Sequence, residues 1–278
     1  MKWNQLTMGA GVLLIATMLS ACGSTDTPAA AKTDTPAAAK EDAPKATESA
    51  GKFIAKYGKT DTDVATEGLE LLKSSKVLES FADSLSEMLI LPHDVTLAGE
   101  QCDEVNAYYS PDEKKITMCY ELVADGFTRY RDKAESEEEN NEHGRANLVD
   151  TLYHELGHAV IDIYGLPALG KEDDAADQLS AFMMSQSDDV SLSVQTINYY
   201  FASAGDQDRA ALPFYDEHSM DEQRAFNYMC WMYGSDPKAY ADWVGQDGLP
   251  EERAAKCPAE YEKLSNSWLK LLEPHLKD

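Results

Sequence analysis

His154 and His158 stand four residues apart in the stretch "TLYHELGHAVID", residues 151–162, and Glu155 directly follows the first of them. On a helix that spacing stacks both imidazoles on one face, where they can aim two nitrogens at a single point about 2.0–2.1 Å away, the length of a zinc–histidine bond. Glu155 lies about a quarter turn aside. It is too far round to be a natural third ligand, but well placed to act as general base on a water that the ion has acidified. Gly157, on another flank, leaves room for close packing at some cost in helix propensity. Leu152, Ala159 and Ile163 can bury the helix, and an interior position makes two imidazoles and a carboxylate costly without a partner. The competing account is a buried pair satisfied by hydrogen bonds to other side chains. His93, His143 and His275 have no companions at metal spacing and are expected in surface or satisfied roles.

The elements that must position these residues follow from periodicity and punctuation. A helix is expected from about Ala146 to Tyr164, entered from an acidic loop at 134–144 and ended by "GLPALG", 165–170. A second helix starts near Lys171 with "EDDAADQLSAFMM", and a tight turn between the two would bring it back against the first. Upstream, Val77, Leu78, Phe81, Leu85, Met88 and Leu89 recur at helical spacing until Pro92. Residues 94–98, 104–110 and 114–122 are short, β-branched or aromatic, and separated by turn signals, and they read as a small antiparallel sheet. Further helices are expected at about 192–204, 220–234 and 258–272. The class is α+β, with the sheet packed beside a mainly helical remainder.

At the other end of the chain, Lys2 precedes the apolar run "MGAGVLLIATML" and then "LSAC", which reads as a secretory signal over residues 1–21. The last four residues resemble a bacterial lipobox, which implies that Cys22 becomes an acylated first residue; an ordinary signal with an incidental cysteine is the alternative. Residues 22–50, with "TDTPAAAK" in tandem, cannot build a core and read as a tether, leaving 51–278 as one folded domain. Fifty acidic against 24 basic residues give a net charge of −26, which repels nucleic acid and anionic headgroups, so membrane contact is expected through the lipid alone. Cys102, Cys119, Cys230 and Cys257 remain, an even number in an exported chain. Three pairings are possible; a hairpin between the first two favours Cys102 with Cys119, and hence Cys230 with Cys257. No CxxC spacing supports a cysteine zinc site.

"GKEDDAADQLS", 170–180, resembles the ExxxD signature of the gluzincin metallopeptidases. In that family the first acid binds zinc and the second supports a ligand histidine from behind. Matching by register implies Asp173 at the first position and Asp177 at the second, with Ala176 before it as in the ExxAD form. An aspartate thus stands where glutamate is usual, and Glu172 lies one residue upstream: either Asp173 reaches the metal on a shorter arm, the choice the register favours, or Glu172 takes over. The alternative is a solvated acidic helix start. "LPHDVTL", "NAYYSPDEKKITMCYEL", "HELGHAVIDIYGLPALGKEDDAADQLS" and "DEHSMDEQRAFNYMCWMYG" together resemble a bacterial metallopeptidase family over roughly residues 80–235. The resemblance implies a zincin-like domain, one Zn2+ ion, and a peptide or protein substrate. In zinc peptidases a histidine or tyrosine outside the ligand set stabilises the oxyanion, which makes His218 or Tyr215 a candidate; the alternative is that Asp216 or Ser219 caps the next helix and Arg224 pairs with a carboxylate. The expected place of action is the bacterial cell envelope, and Gly23 after the acylated cysteine favours the outer membrane or cell surface. A non-catalytic envelope protein on the same scaffold, binding a partner or a metal, is the rival reading; an amidase acting on cell-wall peptides would share the chemistry.

Overall fold

The computed structural model describes residues 50–277 apart from Tyr130, Asp132, Lys133, Glu135, Asp188, 206–211, Pro213 and 246–247. Cys22, the expected signal and all of the expected tether before residue 50 lie outside the described residues. Four strands form one sheet in the order β1-β2-β4-β3: β1 Phe53–Tyr57, β2 Val95–Glu100, β3 Ala107–Ser110 and β4 Lys115–Cys119. The α+β class and the small sheet are as expected, and β3 runs antiparallel to β4 with Ala107 opposite Met118 and Ser110 opposite Lys115. The other pairings differ from an all-antiparallel sheet, because β2 runs parallel to both β1 and β4. Between β1 and β2 the chain crosses over through α1 (Asp63–Ser75) and α2 (Val77–Met88), and a helical crossover returns the next strand in the same direction. Neither β1 nor α1 was expected, although α1 is amphipathic, burying Ala65, Gly68 and Leu72, and is capped at Thr62. Nor was α3 (Tyr120–Thr128), which begins where the strand pattern was expected to continue to residue 122.

The long helix α4 runs Glu137–Tyr164, nine residues earlier at its start than the expected Ala146. The acidic stretch is therefore largely helix, not loop. Ser136 caps it by accepting the Glu139 N–H, and Glu137, Glu138 and Glu139 sit in the first turn, where the helix dipole favours negative charge. Gly165 ends it in the left-handed region at φ 60°, donating its N–H back to Ile161 and Asp162. After it come α5 (Glu172–Ser185), α6 (Val190–Ala204), α7 (Asp221–Ser235), the single turn α8 (Glu251–Ala254) and α9 (Cys257–Leu272). α4 packs against α3, α5, α6 and the β3–β4 hairpin, so it is the central element of the core. The hairpin is fastened to it by Asp162, whose Oδ2 accepts both the Tyr109 hydroxyl at 2.8 Å and the Lys114 ammonium at 2.7 Å. No helix among the described residues is long and apolar enough to cross a membrane.

Both expected disulfides are present. Cys102–Cys119 ties the approach to β3 to the end of β4, and Cys230–Cys257 ties α7 to the start of α9. Glu121 adds to the first staple by accepting the N–H groups of Cys102 and Asp103. The bridges close separations of 17 and 27 residues, for which chain entropy gives about 3 and 3.5 kcal/mol. Replacing Cys230 and Cys257 together by serine should lower the unfolding free energy by about 3.5 kcal/mol in urea titrations; an unchanged midpoint would contradict this account.

Candidate metal centre

The centre is built where α4 crosses α5. A Cβ placed on Gly157 would stand 2.7 Å from Ala176 Cα and 2.9 Å from its Cβ, so only glycine allows the two helices to meet at this distance. His154 and His158 flank that contact on α4, and Asp173 and Asp177 flank it on α5. The turn between the helices closes through Gly165 and Gly170, both at positive φ. Glu155 is buried on the same helix.

Each imidazole in the centre offers its Nδ1 to a different carboxylate: His154 to Asp177 Oδ1 at 2.7 Å, His158 to Glu172 Oε1 at 2.7 Å, and His218 to Asp216 Oδ1 at 3.1 Å. An ionised carboxylate only accepts, so Nδ1 carries the hydrogen in all three and Nε2 is turned inward. There His154 Nε2 and His158 Nε2 stand 3.3 Å apart, and Asp173 Oδ1 lies 3.8, 3.6 and 3.2 Å from the Nε2 atoms of His154, His158 and His218. Ligands about 2.0–2.1 Å from a tetrahedral zinc ion are about 3.3–3.4 Å from one another, so these spacings fit a divalent cation at the common point. With Nδ1 protonated, the inward atoms of neutral imidazoles and a carboxylate are all lone-pair donors. Only protons or a cation relieve their repulsion.

Charge follows the same geometry. Burial opposes the His154 imidazolium, but the Asp173 and Asp177 carboxylates outweigh it and lift its pKa to about 10. His158 is raised too, by Asp173 and Glu172 against burial. The imidazoles in turn hold Asp173 well below the usual carboxylate range, chiefly through the nearness of the His154 and His158 rings, 3.8 and 3.6 Å away. Asp177, whose burial alone would raise it, is driven far down by Arg224 and His154. Burial pushes the Glu155 carboxyl up, and the three imidazoles only partly offset this.

The structure separates the two acids that the register left in competition. The Asp173 side chain is 13% exposed and faces all three inward nitrogens, whereas Glu172 is 47% exposed and stands behind His158 on the Nδ1 side. His218 joins the cluster from the loop before α7; Tyr215, in the same loop, is 92% exposed and packs against little. Lys171 ties that loop to the start of α5 by donating to the carbonyls of Asp216 and His218, and Ser219 adds a bond to Asp174 at 2.7 Å. Neither Asp216 nor Ser219 caps α7; Gln223 accepts the Met220 N–H instead. A cleft of about 630 Å³ opens beside His218, with Lys171, Phe214, Met220 and Arg224 among its lining residues. Of the other histidines, His275 stacks on Tyr164 and His143 is buried in α4.

A family described as "Putative metallopeptidase" matches residues 57–272. The chain belongs to that family. Among curated proteins and among solved structures, nothing matches it. Membership supports a metal-dependent hydrolase of peptide bonds with a peptide or protein substrate, and the donors are at hand, since His154, Asp173 and His218 offer ligand atoms within 4.8 Å of one another.

Sequence reasoning missed a second layer behind the centre. Asp150, one helical turn before His154, is fully buried and accepts the hydroxyls of Ser180, Tyr200 and Tyr228 at 2.6, 2.7 and 2.7 Å. Its signal was a lone acid among Leu148, Val149 and Leu152, on the face that carries His154.

Two expectations follow. Gly157→Val must push the helices apart and should cost about 1–3 kcal/mol of stability with a loss of affinity for a divalent metal, read by thermal melts and chelator competition; wild-type values for both would refute the close-contact argument. The second concerns pH. A histidine lifted from 6.5 to about 10 stabilises the metal-free fold fully below pH 6.5, and that contribution fades as pH rises toward 10. Asp173 and Asp177, depressed from 3.8, contribute above that pH and lose their contribution in acid. Chelator-treated protein should therefore lose stability in urea titrations between pH 6.5 and 9.5, and His154→Gln should flatten that slope.

Proposed function

We propose that this protein is a zinc-dependent peptidase of the cell envelope, in which His154, His158 and Asp173 hold the ion and Glu155 is the general base. The observation that carries the reading is the convergence of two Nε2 atoms and Asp173 Oδ1 within 3.3–3.8 Å of one another. Zinc bound there would supply a Lewis acid that polarises a carbonyl and acidifies water. Glu155, buried with its pKa raised, is suited to take a proton and return it to the departing amine. Asp177 and Glu172 fix the tautomers of His154 and His158 from behind. His218 stands beside the centre and is half exposed; in its doubly protonated form, with Asp216 on Nδ1, it can donate from Nε2 to a developing oxyanion. β3 is an edge strand fastened to α4, so an extended peptide can add to it alongside the centre. Acylation of Cys22 would tether this site to the membrane.

One observation favours the rival reading of a binder without turnover. His218 Nε2 lies 3.2 Å from Asp173 Oδ1, near enough to serve as a fourth protein ligand, and a centre closed by four protein ligands is structural. Zinc content and cleavage of a peptide library decide between them. Wild type should carry one zinc and cleave; Glu155→Gln should keep the zinc and lose about 10²–10⁴-fold in rate, and His158→Ala should lose the metal. Stoichiometric zinc with no turnover in wild type would establish the binder.

A further inference from the structure

Arg224 forks onto Asp177. Its Nε donates to Oδ2 at 2.8 Å and its terminal nitrogen to Oδ1 at 2.6 Å, and that same Oδ1 accepts the His154 Nδ1–H at 2.7 Å. Two parallel bonds fix the plane of a carboxylate that would otherwise swing about its last torsion. The lone pair offered to His154 is fixed with it.

Arg224 is itself held from the far side. Its guanidinium lies 4.3 Å over the Tyr200 ring, and the Tyr200 hydroxyl donates to Asp150 Oδ2 at 2.7 Å. Asp150 is on α4, four residues before His154. The contacts therefore run from α4 through α6, α7 and α5 and return to α4 one turn further on. Helical spacing sets the layers: α4 supplies Asp150 and His154, α7 supplies Arg224 and Tyr228, and α5 supplies Asp177 and Ser180, each pair on a single face. Tyr228 and Ser180 close on Asp150 in one layer, while Arg224 and Asp177 close on His154 in the next.

Stability alone is a poor account of this arrangement. Taking a guanidinium and two carboxylates out of water costs so much that apolar residues of similar volume would serve a core as well or better. The ring has one member whose orientation matters outside it, and that is His154. We propose that Arg224 is a positioning residue for the metal centre, acting through Asp177 to hold His154 with its Nε2 aimed at the ion. This rests on the reading of His154 as a ligand, and not on peptide turnover.

The test uses zinc itself as the probe, on the folded protein. Affinity is measured by competition with a chromophoric chelator for wild type, Arg224→Gln, Arg224→Lys, Asp177→Asn and the Arg224→Gln/Asp177→Asn double variant. Visible spectra of the cobalt-substituted proteins report ligand geometry, which a purely structural ion pair would leave unchanged. Loss of a group behind a ligand histidine costs about 10–100-fold in metal affinity, and Arg224→Gln should fall in that range with a shifted cobalt spectrum. Because both residues act on one ring, the double variant should bind no more weakly than the weaker single. Arg224→Lys, keeping the charge without the fork, should fall between.

Wild-type zinc affinity and an unaltered cobalt spectrum in Arg224→Gln would overturn the proposal, as would losses that multiply in the double variant. Should the glutamine variant fail to fold, wild-type affinity in Arg224→Lys would overturn it equally, since lysine cannot reproduce two parallel bonds. Zinc binding without peptide cleavage would sink the peptidase reading and leave this one standing. Absence of zinc binding in wild type would end both.

Discussion

The close crossing of α4 over α5 at Gly157 and Ala176 is the constraint on which the centre depends. Helix axes ordinarily stand 8–10 Å apart according to the side chains between them. With no Cβ on one helix and a single methyl on the other, α5 comes near enough for short acidic side chains to reach the imidazoles. The residues that flank the contact then lie opposite one another. The left-handed end of α4 at Gly165 and the turn through Gly170 return the chain to that face.

Charge is distributed so that the centre keeps a net attraction for a cation. Asp177, Glu172 and Asp216 each receive an imidazole N–H, and Asp173 turns toward the nitrogens that remain. The two nearby cationic side chains are engaged elsewhere: Arg224 with Asp177, and Lys171 with the carbonyls of Asp216 and His218. Neither competes for the inward position. The acidic excess of the chain, uninformative as a bulk number, has a local meaning here and at the start of α4, where three glutamates face the helix dipole.

What was legible beforehand was what local spacing encodes. His154, Glu155 and His158 share one helix, Asp173 and Asp177 the next, and the cysteines flank a hairpin, so each relation needs only a period and a turn. The acidic stretch misled because charge density reads as loop, while Ser136 and the dipole make it a helix start. β1, five residues long, and α1, longer than α2 and capped by Thr62, were both overlooked; the parallel direction of β2 follows from that missed crossover. That Arg224 pairs with a carboxylate was among the expected alternatives, but which carboxylate, and the Asp150 contacts, were out of reach for another reason. They join residues 50, 78 and 47 positions apart, on helices whose mutual placement no period specifies.

The departure from the gluzincin pattern at residue 173 can be understood in the same terms. An aspartate is shorter than a glutamate by one carbon–carbon bond, about 1.5 Å, so in an ordinary helix crossing it would fall short of a cation between the histidines. Here the Gly157–Ala176 contact draws α5 in, and Asp173 Oδ1 stands 3.6 and 3.8 Å from the two nitrogens, close to what coordination of one ion requires. The longer Glu172 is then free to serve behind His158, a place that Asp173 does not occupy. Short acid, close helices and displaced glutamate are thus one arrangement. An aspartate at this position is compatible with an intact centre so long as residue 157 carries no side chain.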